Sequence, residues 1–158
     1  MAQKQGLPSG APVDPQKPLV LSVEAAGGPR IAALNPTAEG LGLAAGQLLA
    51  DARAKAGALQ IRPSDPTADA AALDRLALWA TRYAPQASPW RVENGGDGFF
   101  LDITGAAHLW DGERALLRHL GRRLKGFGLP ARIAVADTPG AGWAMARFSG
   151  RRGIVVPE

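Results

Sequence analysis

Two aspartates in the stretch 95–110, GGDGFFLDITGAAHLW, are candidates for metal chemistry. Carboxylate oxygens are the ligands that Mg²⁺ prefers, and two such ions about 4 Å apart support nucleotidyl transfer. Asp97 lies among glycines, where an aspartate is more often a turn residue than a ligand. Asp102 ends an apolar run, and we expect it to be structural, capping the turn at 104–105. Since 97 and 102 differ by an odd number, the two side chains would face opposite sides of one strand.

The composition limits what else the chain can do. It has 158 residues, which suggests one domain or one domain with a small appendage. It has no cysteine and only two histidines, His108 and His119, which excludes disulfides and argues against thiolate or histidine-rich metal sites. No apolar run approaches the roughly 20 residues of a membrane span, and the amino terminus lacks the apolar core of a signal peptide. We therefore expect a cytoplasmic protein.

Positive charge is concentrated near the carboxyl terminus. Residues 112–158 carry nine basic and three acidic side chains, whereas residues 1–111 carry nine and eleven. A helix is predicted over 112–126, with Leu116, Leu120 and Leu124 on its buried side next to Leu117. Its cations either contact a DNA backbone or form a face that only water covers, and both interpretations stay open. They are Arg114, Arg118, Arg122, Arg123 and Lys125.

The predicted elements indicate an α+β fold in three segments. Residues 1–18 are polar and proline-rich and are expected to be a disordered leader. Residues 19–63 hold a hairpin, a helix and a short strand, which we interpret as a small subdomain. Residues 64–158 follow the order helix, strand, strand, helix, strand, helix, with a hairpin formed by 89–94 and 98–104. This order fits a ferredoxin-like βαββαβ antiparallel sheet with helices on one face, if one strand lies upstream.

Three stretches taken together resemble the Y-family DNA polymerases. They are LALWATRYAPQASPW, DGFFLDITGAAHLWDGERALL and ARIAVADTPGAGWAMARF. In detail they are most similar to the ImuB branch of bacterial polymerase-like mutagenesis proteins. The resemblance covers residues 19–158 and implies a fingers-like subdomain over 19–63 and a palm-like domain over 64–158. The thumb and little finger have no counterpart in this chain.

The resemblance also implies that the catalytic residues are largely missing. Active members carry one aspartate on the first palm strand and an Asp-Glu pair later. The pair corresponds here to Asp97-Gly98, and the first strand has no counterpart. A Tyr and an Arg that bind the triphosphate are replaced by Pro36 and Glu39, and a lysine by Trp143. We therefore expect no catalytic residue, with Asp97 as a vestigial position, no metal and no cofactor. Mg²⁺ would be needed only if the chain were active.

The function implied by the resemblance is binding in a DNA-damage-induced (SOS) mutagenesis and translesion pathway. The implied partners are DNA, the sliding clamp, a RecA-like accessory protein and an error-prone C-family polymerase, several of them contacted through regions absent from this chain. Two alternatives remain at this point. The chain could be an active translesion nucleotidyltransferase, or it could be an unrelated α+β interaction domain.

Overall fold

The computed structural model describes residues 12–90, 97–150 and 153–155. The chain divides into two compact units, one that runs up to Pro66 and one that begins at Thr67. Each unit is built around its own cluster of buried apolar side chains. Within the described ranges, no helix is both long enough and apolar enough to cross a membrane.

The first unit contains a three-stranded sheet. Strands β1 (Leu19–Val23) and β2 (Arg30–Leu34) pair antiparallel, as the sequence predicts for this hairpin. The turn between them includes Gly27 and Gly28, whose φ angles of 84° and 114° favour glycine. Strand β3 (Gln60–Pro63) pairs with β1 in parallel, which gives the order β2-β1-β3. A parallel neighbour requires a crossover, and two helices between β2 and β3 supply it.

Those two helices cover the apolar side of this sheet. Helix α1 (Pro36–Gly40) begins with Asn35, whose Oδ1 accepts a hydrogen bond of 3.0 Å from the Ala38 N–H, and with proline at the first helical position. Helix α2 (Leu49–Ala56) ends at Gly57. The buried side chains that they share with the strands are Val20, Ile31, Ala38, Leu43, Leu49, Ala52 and Ile61.

The segment before β1 makes specific contacts where it is described. The Gln60 side chain accepts from the Asp14 N–H at 3.0 Å and donates to the Asp14 carbonyl at 2.8 Å. The Asn35 amide donates to the Lys17 carbonyl at 2.9 Å. Residues 1–11 of the expected disordered leader lie outside the described residues.

The second unit contains helices and short strands in alternation. Its helices are α3 (Pro66–Ala80), which begins at the boundary, α4 (Glu113–Gly126) and α5 (Pro139–Phe148), with a 3-10 turn at Ala107–Trp110. Its strands are β4 (Gln86–Pro89), β5 (Phe99–Asp102), β6 (Ile133–Val135) and β7 (Gly153–Val155).

The strands of this unit confirm the α+β class and correct the predicted sheet in detail. Strands β4 and β5 pair antiparallel, whereas β6 and β7 pair in parallel. In the described part of the chain these pairs form two separate two-stranded sheets instead of one antiparallel sheet. The parallel pair follows from α5, which carries the chain back between β6 and β7. Strand β4 also begins at Gln86, three residues before the start of the predicted strand 89–94. Residues 91–94 of that prediction lie outside the described residues.

The core of the second unit forms along one side of α4. Leu116, Leu120 and Leu124 are buried, as the leucine spacing predicts. They pack with the buried Tyr83 and with partly buried apolar side chains from the two sheets and the residue after β5, namely Leu101, Ile103 and Ile133. Leu101 and Ile103 lie two positions apart and thus share one face of the extended chain. The helix therefore joins the two sheets through a common core.

Candidate functional site

Asp97 is paired with an arginine. Its Oδ2 accepts a hydrogen bond of 2.7 Å from Arg147 Nη1, near the end of α5. The side chains of Asp97 and Arg147 are 61% and 45% exposed, so water screens the pair and its contribution to stability is about 0–1 kcal/mol. The sequence offers no signal for this contact, because the two residues are fifty positions apart. The arginine thus binds one of the two carboxylate oxygens of Asp97.

Asp102 has the structural role expected from the sequence. Its Oδ1 accepts a hydrogen bond of 3.0 Å from the Thr104 N–H. The Thr104 side chain and then its backbone N–H, by hydrogen bonding to the carboxylate, lower the pKa of Asp102 from its ordinary value. Both bonds favour the charged form, which is the form that caps this turn. Asp102 therefore orders the residues after β5.

Acidic and histidine side chains do not gather into a metal site in residues 12–90, 97–150 and 153–155. No three of them lie close enough together to bind an ion there. Gly98 stands where the resemblance places a glutamate, and a Cβ at this position would meet no other atom within 4 Å. The backbone at this position therefore leaves room for a Cβ atom.

An apolar hollow lies beside β5. It has a volume of about 180 Å³ and is lined by Trp90, Phe100, Pro139, Gly140 and Trp143. Trp90 lies with its ring centroid 5.5 Å from that of Phe100 and 6.2 Å from that of Trp143. Trp143 Nε1 is buried and has no hydrogen-bond partner among the described residues. Trp143, the position that the resemblance gives to a triphosphate-binding lysine, thus contributes to an aromatic wall and supplies no charge.

The other two substituted positions lie in the first unit. Pro36 begins α1, where its fixed φ suits the first turn. Glu39 is exposed on the same helix and adds negative charge to it. Proline and glutamate cannot make the charge-assisted bonds that tyrosine and arginine would make to a polyphosphate.

Helix α4 exposes its cations as the sequence predicts. All five side chains are exposed: Arg114, Arg118, Arg122, Arg123 and Lys125. Four of them face away from the leucines, whereas Arg123 lies next to the leucine side of the helix. None of the five forms a salt bridge with a carboxylate in the described part of the chain. The acidic residue of the helix, Glu113, lies in its first turn, at the other end from Lys125. These cations are therefore available to an anionic partner.

Three of these cations have distinct neighbours in the structure. Arg114 and Arg118 border a groove of about 290 Å³ against Gly153, Ile154 and Val155 of β7. Arg123 lies at the other end of α4, with its guanidinium 5.5 Å from the ring centroid of Phe127. The groove depends on how α4 lies against β7, which the sequence does not indicate. Arg123 and Phe127 are four residues apart, so helical spacing brings these two together.

Comparisons with known proteins agree with the resemblance. A model of the impB/mucB/samB family matches residues 13–147. "Protein ImuB" from two strains of Caulobacter vibrioides, NA1000/CB15N and ATCC 19089/CIP 103742/CB 15, is 48% identical over 117 residues. That alignment covers 74% of this chain and 25% of each relative, so the chain spans about a quarter of their length.

Solved structures of polymerases share the fold. DinB from Sulfolobus solfataricus matches with a TM-score of 0.65, and a post-insertion binary complex of Dbh DNA polymerase with 0.71. Each is 22% identical, and each match covers 89% of this chain and 41% of the other. The fold therefore corresponds to the palm and fingers region of Y-family polymerases, as predicted, and the unrelated α+β domain is excluded. Because the family model matches residues 13–147, most of its length, the chain belongs to the impB/mucB/samB family.

Proposed function

We propose that this chain is a catalytically inactive, polymerase-like component of DNA-damage-induced mutagenesis and translesion synthesis, and that it acts by binding DNA and proteins. The observation that carries this proposal is the pairing of Asp97 with Arg147 beside Gly98. A polymerase fold is thus combined with a carboxylate that is hydrogen-bonded to an arginine and has no acidic residue at the next position.

Electrostatics support the inactivity of this chain. Two-metal catalysis needs several carboxylates to offset the charge of two divalent ions. Arg147 places a positive charge 2.7 Å from the Asp97 oxygen, which disfavours a cation at the same position. The resemblance gives a triphosphate-binding lysine to the position of Trp143 and an arginine to that of Glu39, and neither residue supplies positive charge. Each change opposes a step of nucleotidyl transfer.

DNA binding is supported by the exposed cations of α4. Phosphates of a DNA backbone release counterions when arginine or lysine neutralises them, and this drives sequence-independent binding. Arg114, Arg118 and Arg122 recur at intervals of four residues, so they form a row along one side of the helix. A row of exposed cations suits a row of phosphates.

The family resemblance also supports protein partners and a cellular location. We propose a sliding clamp, a RecA-like accessory protein and an error-prone C-family polymerase as partners, contacted in part through regions outside this chain. We further propose that the protein works in the cytoplasm, where bacterial DNA is found.

Primer extension tests the absence of catalysis. The purified chain is incubated with a primed template, all four deoxynucleotides and either Mg²⁺ or Mn²⁺. We expect no extension with either metal. Template-dependent extension that disappears in Asp97→Ala would establish the competing function, an active translesion nucleotidyltransferase.

A salt titration tests DNA binding. Replacing four arginines of α4 with alanine should weaken binding and reduce the slope of log Kd against log salt by about 0.9 for each phosphate that is no longer neutralised. Those arginines are Arg114, Arg118, Arg122 and Arg123. A control removes the same charge from exposed sites elsewhere, Lys17, Arg53, Lys55 and Arg75. If both variants bind as the parent does at low salt, α4 is not the DNA-binding surface.

A further inference from the structure

Two aromatic side chains lie next to each other near the ends of α3 and α4, with one arginine beside each of them. The Arg82 guanidinium lies 4.7 Å from the ring centroid of Trp79. Trp79 meets Phe127 edge-on, with 5.0 Å between ring centroids, and the Arg123 guanidinium lies 5.5 Å from the Phe127 ring centroid. We call these four residues, Arg82, Trp79, Phe127 and Arg123, the aromatic row.

Local structure leaves Phe127 at the surface. Helix α4 ends at Gly126, and the Phe127 N–H closes the last turn by bonding the carbonyls of Arg123 and Leu124. Its side chain is consequently carried past the buried leucines, and the residue is 49% exposed. An exposed phenylalanine costs hydrophobic free energy unless a partner covers it.

Contacts with the buried core and with the backbone fix the position of Trp79 and Arg82 in the aromatic row. Trp79 packs against the buried Tyr83 with 5.6 Å between ring centroids, and Arg82 Nε donates to the Trp79 carbonyl at 2.9 Å. Burial raises the pKa of Tyr83, while the charges of Arg123 and Arg82 lower it, so both guanidinium groups lie near the same phenol. A rigid base of this kind limits the entropy lost when a ligand binds.

The row combines two chemical features that point to one class of ligand. The half-exposed Phe127 ring offers apolar surface, and the two arginines, one over Phe127 and one over Trp79, offer positive charge. A ligand that carries planar groups and repeated negative charges together satisfies both features, and a single-stranded nucleic acid does so.

We propose that the aromatic row binds single-stranded nucleic acid, with a base stacked on Phe127 and phosphates paired with Arg82 and Arg123. The proposal rests on the proposed function in that the chain binds DNA, and it specifies the form of the DNA. Bases within a duplex are stacked on each other and cannot reach the Phe127 ring. An acidic peptide would match the charges but would lack the repeated planar faces.

Binding of a labelled thymine oligonucleotide, followed by fluorescence anisotropy, tests this proposal. Phe127→Leu keeps an apolar side chain but removes the ring, and we expect it to raise the Kd for the single strand about tenfold, as loss of one stacked base does. Arg82→Gln should raise the Kd as well. Phe148→Leu is the matched control, since Phe148 is also exposed, at 73%, while its neighbour Arg147 is paired with Asp97. Circular dichroism checks that each variant folds.

An abasic strand of equal length and charge separates stacking from charge. It should bind the parent chain more weakly and should not respond to Phe127→Leu. Equal affinity for the abasic strand, or a Kd for Phe127→Leu within twofold of the parent, would overturn the proposal. A polyglutamate peptide that binds with the same dependence on Phe127 would identify an acidic-peptide surface instead.

Two outcomes distinguish this proposal from the proposed function on which it rests. If neither single strands nor duplexes bind the parent chain, the proposed DNA binding itself fails. If DNA binding depends on the α4 arginines but not on Phe127, only the aromatic row is refuted.

Discussion

Arg147 Nη1 donates a hydrogen bond of 2.7 Å to Oδ2 of Asp97, fifty residues earlier in the chain. Arg147 lies on α5 together with Trp143, and its guanidinium is 5.3 Å from the ring centroid of that tryptophan. An aspartate that the sequence marks as a possible metal ligand is thus held by a cation from the neighbouring helix. The same pair bears on stability and on activity, and each can be tested.

A double-mutant cycle should show that the pair contributes little to folding. Asp97→Ala, Arg147→Ala and the double variant are compared by urea denaturation. Because both side chains are largely exposed, we expect a coupling energy below about 1 kcal/mol, which falls further at high salt. A coupling of several kcal/mol would contradict this assignment of the pair to the solvent-screened surface.

Restoring the second carboxylate should not restore catalysis. Gly98→Glu is expected to fold normally, because a Cβ at this position meets no atom within 4 Å. Two carboxylates are still fewer than the three that the family resemblance implies, and Arg147 is still hydrogen-bonded to Asp97. Primer extension with Mg²⁺ or Mn²⁺ should therefore remain at background. Extension by Gly98→Glu, and not by Gly98→Gln, would show that one carboxylate was all the site lacked.

The leucine side of α4 should dominate the stability of the second unit. Leu120 is 3% exposed within the core, so Leu120→Ala should lower the free energy of unfolding by about 2–5 kcal/mol. Leu109 is 71% exposed, and Leu109→Ala should change it by less than about 0.5 kcal/mol. Urea denaturation of both variants checks this contrast, and similar losses would mean that the core is placed incorrectly.

The stability of the second unit should fall in alkaline solution because of Tyr83. Burial raises the pKa of this phenol above its ordinary 10.0, although Arg123 and Arg82 oppose the change. The unfolded chain loses the proton first as the pH rises, so the free energy of unfolding falls from about pH 10 until the folded-state pKa is passed.

Tyr83→Phe should remove this part of the pH dependence. It also deletes the hydrogen bond of 2.9 Å between Tyr83 Oη and His119 Nδ1, which we expect to cost about 0.5–1.5 kcal/mol below pH 9. Denaturation at several pH values checks both effects. Tyr83 is the sole tyrosine of the sequence, so absorbance titration of the phenolate reports on it alone. A phenolate that titrates below pH 10 would refute the assignment.

Local signals predict much of the fold correctly. The leucine spacing of α4 identifies its buried side, and Thr138 with Pro139 marks the start of α5, where the Thr138 hydroxyl accepts from the Ala141 N–H at 3.2 Å. These features depend on residues within one or two turns of each other, which is the range over which helix capping and periodicity act.

Strand pairing is predicted less well, since it depends on distant residues. The Trp90 N–H donates to the Gly98 carbonyl at 2.8 Å, whereas a turn at 95–97 would place residue 94 opposite Gly98, so the register differs from the predicted one. Pairing Gln86 with Asp102 and Ala87 with Leu101 places Leu101 among the side chains packed on α4, and a shift of one residue would turn it to the other face.

The sequence alone determined the family resemblance, the leucine side of α4 and the exposure of its arginines, because each follows from residue identity and short-range periodicity. Only the tertiary structure decided that Asp97 is paired with Arg147, that Trp143 forms part of an aromatic hollow and that Trp79 lies beside Phe127. The physical reason is that such contacts join elements distant along the chain. Their geometry is set by how helices and strands pack together, and that packing depends on the whole unit.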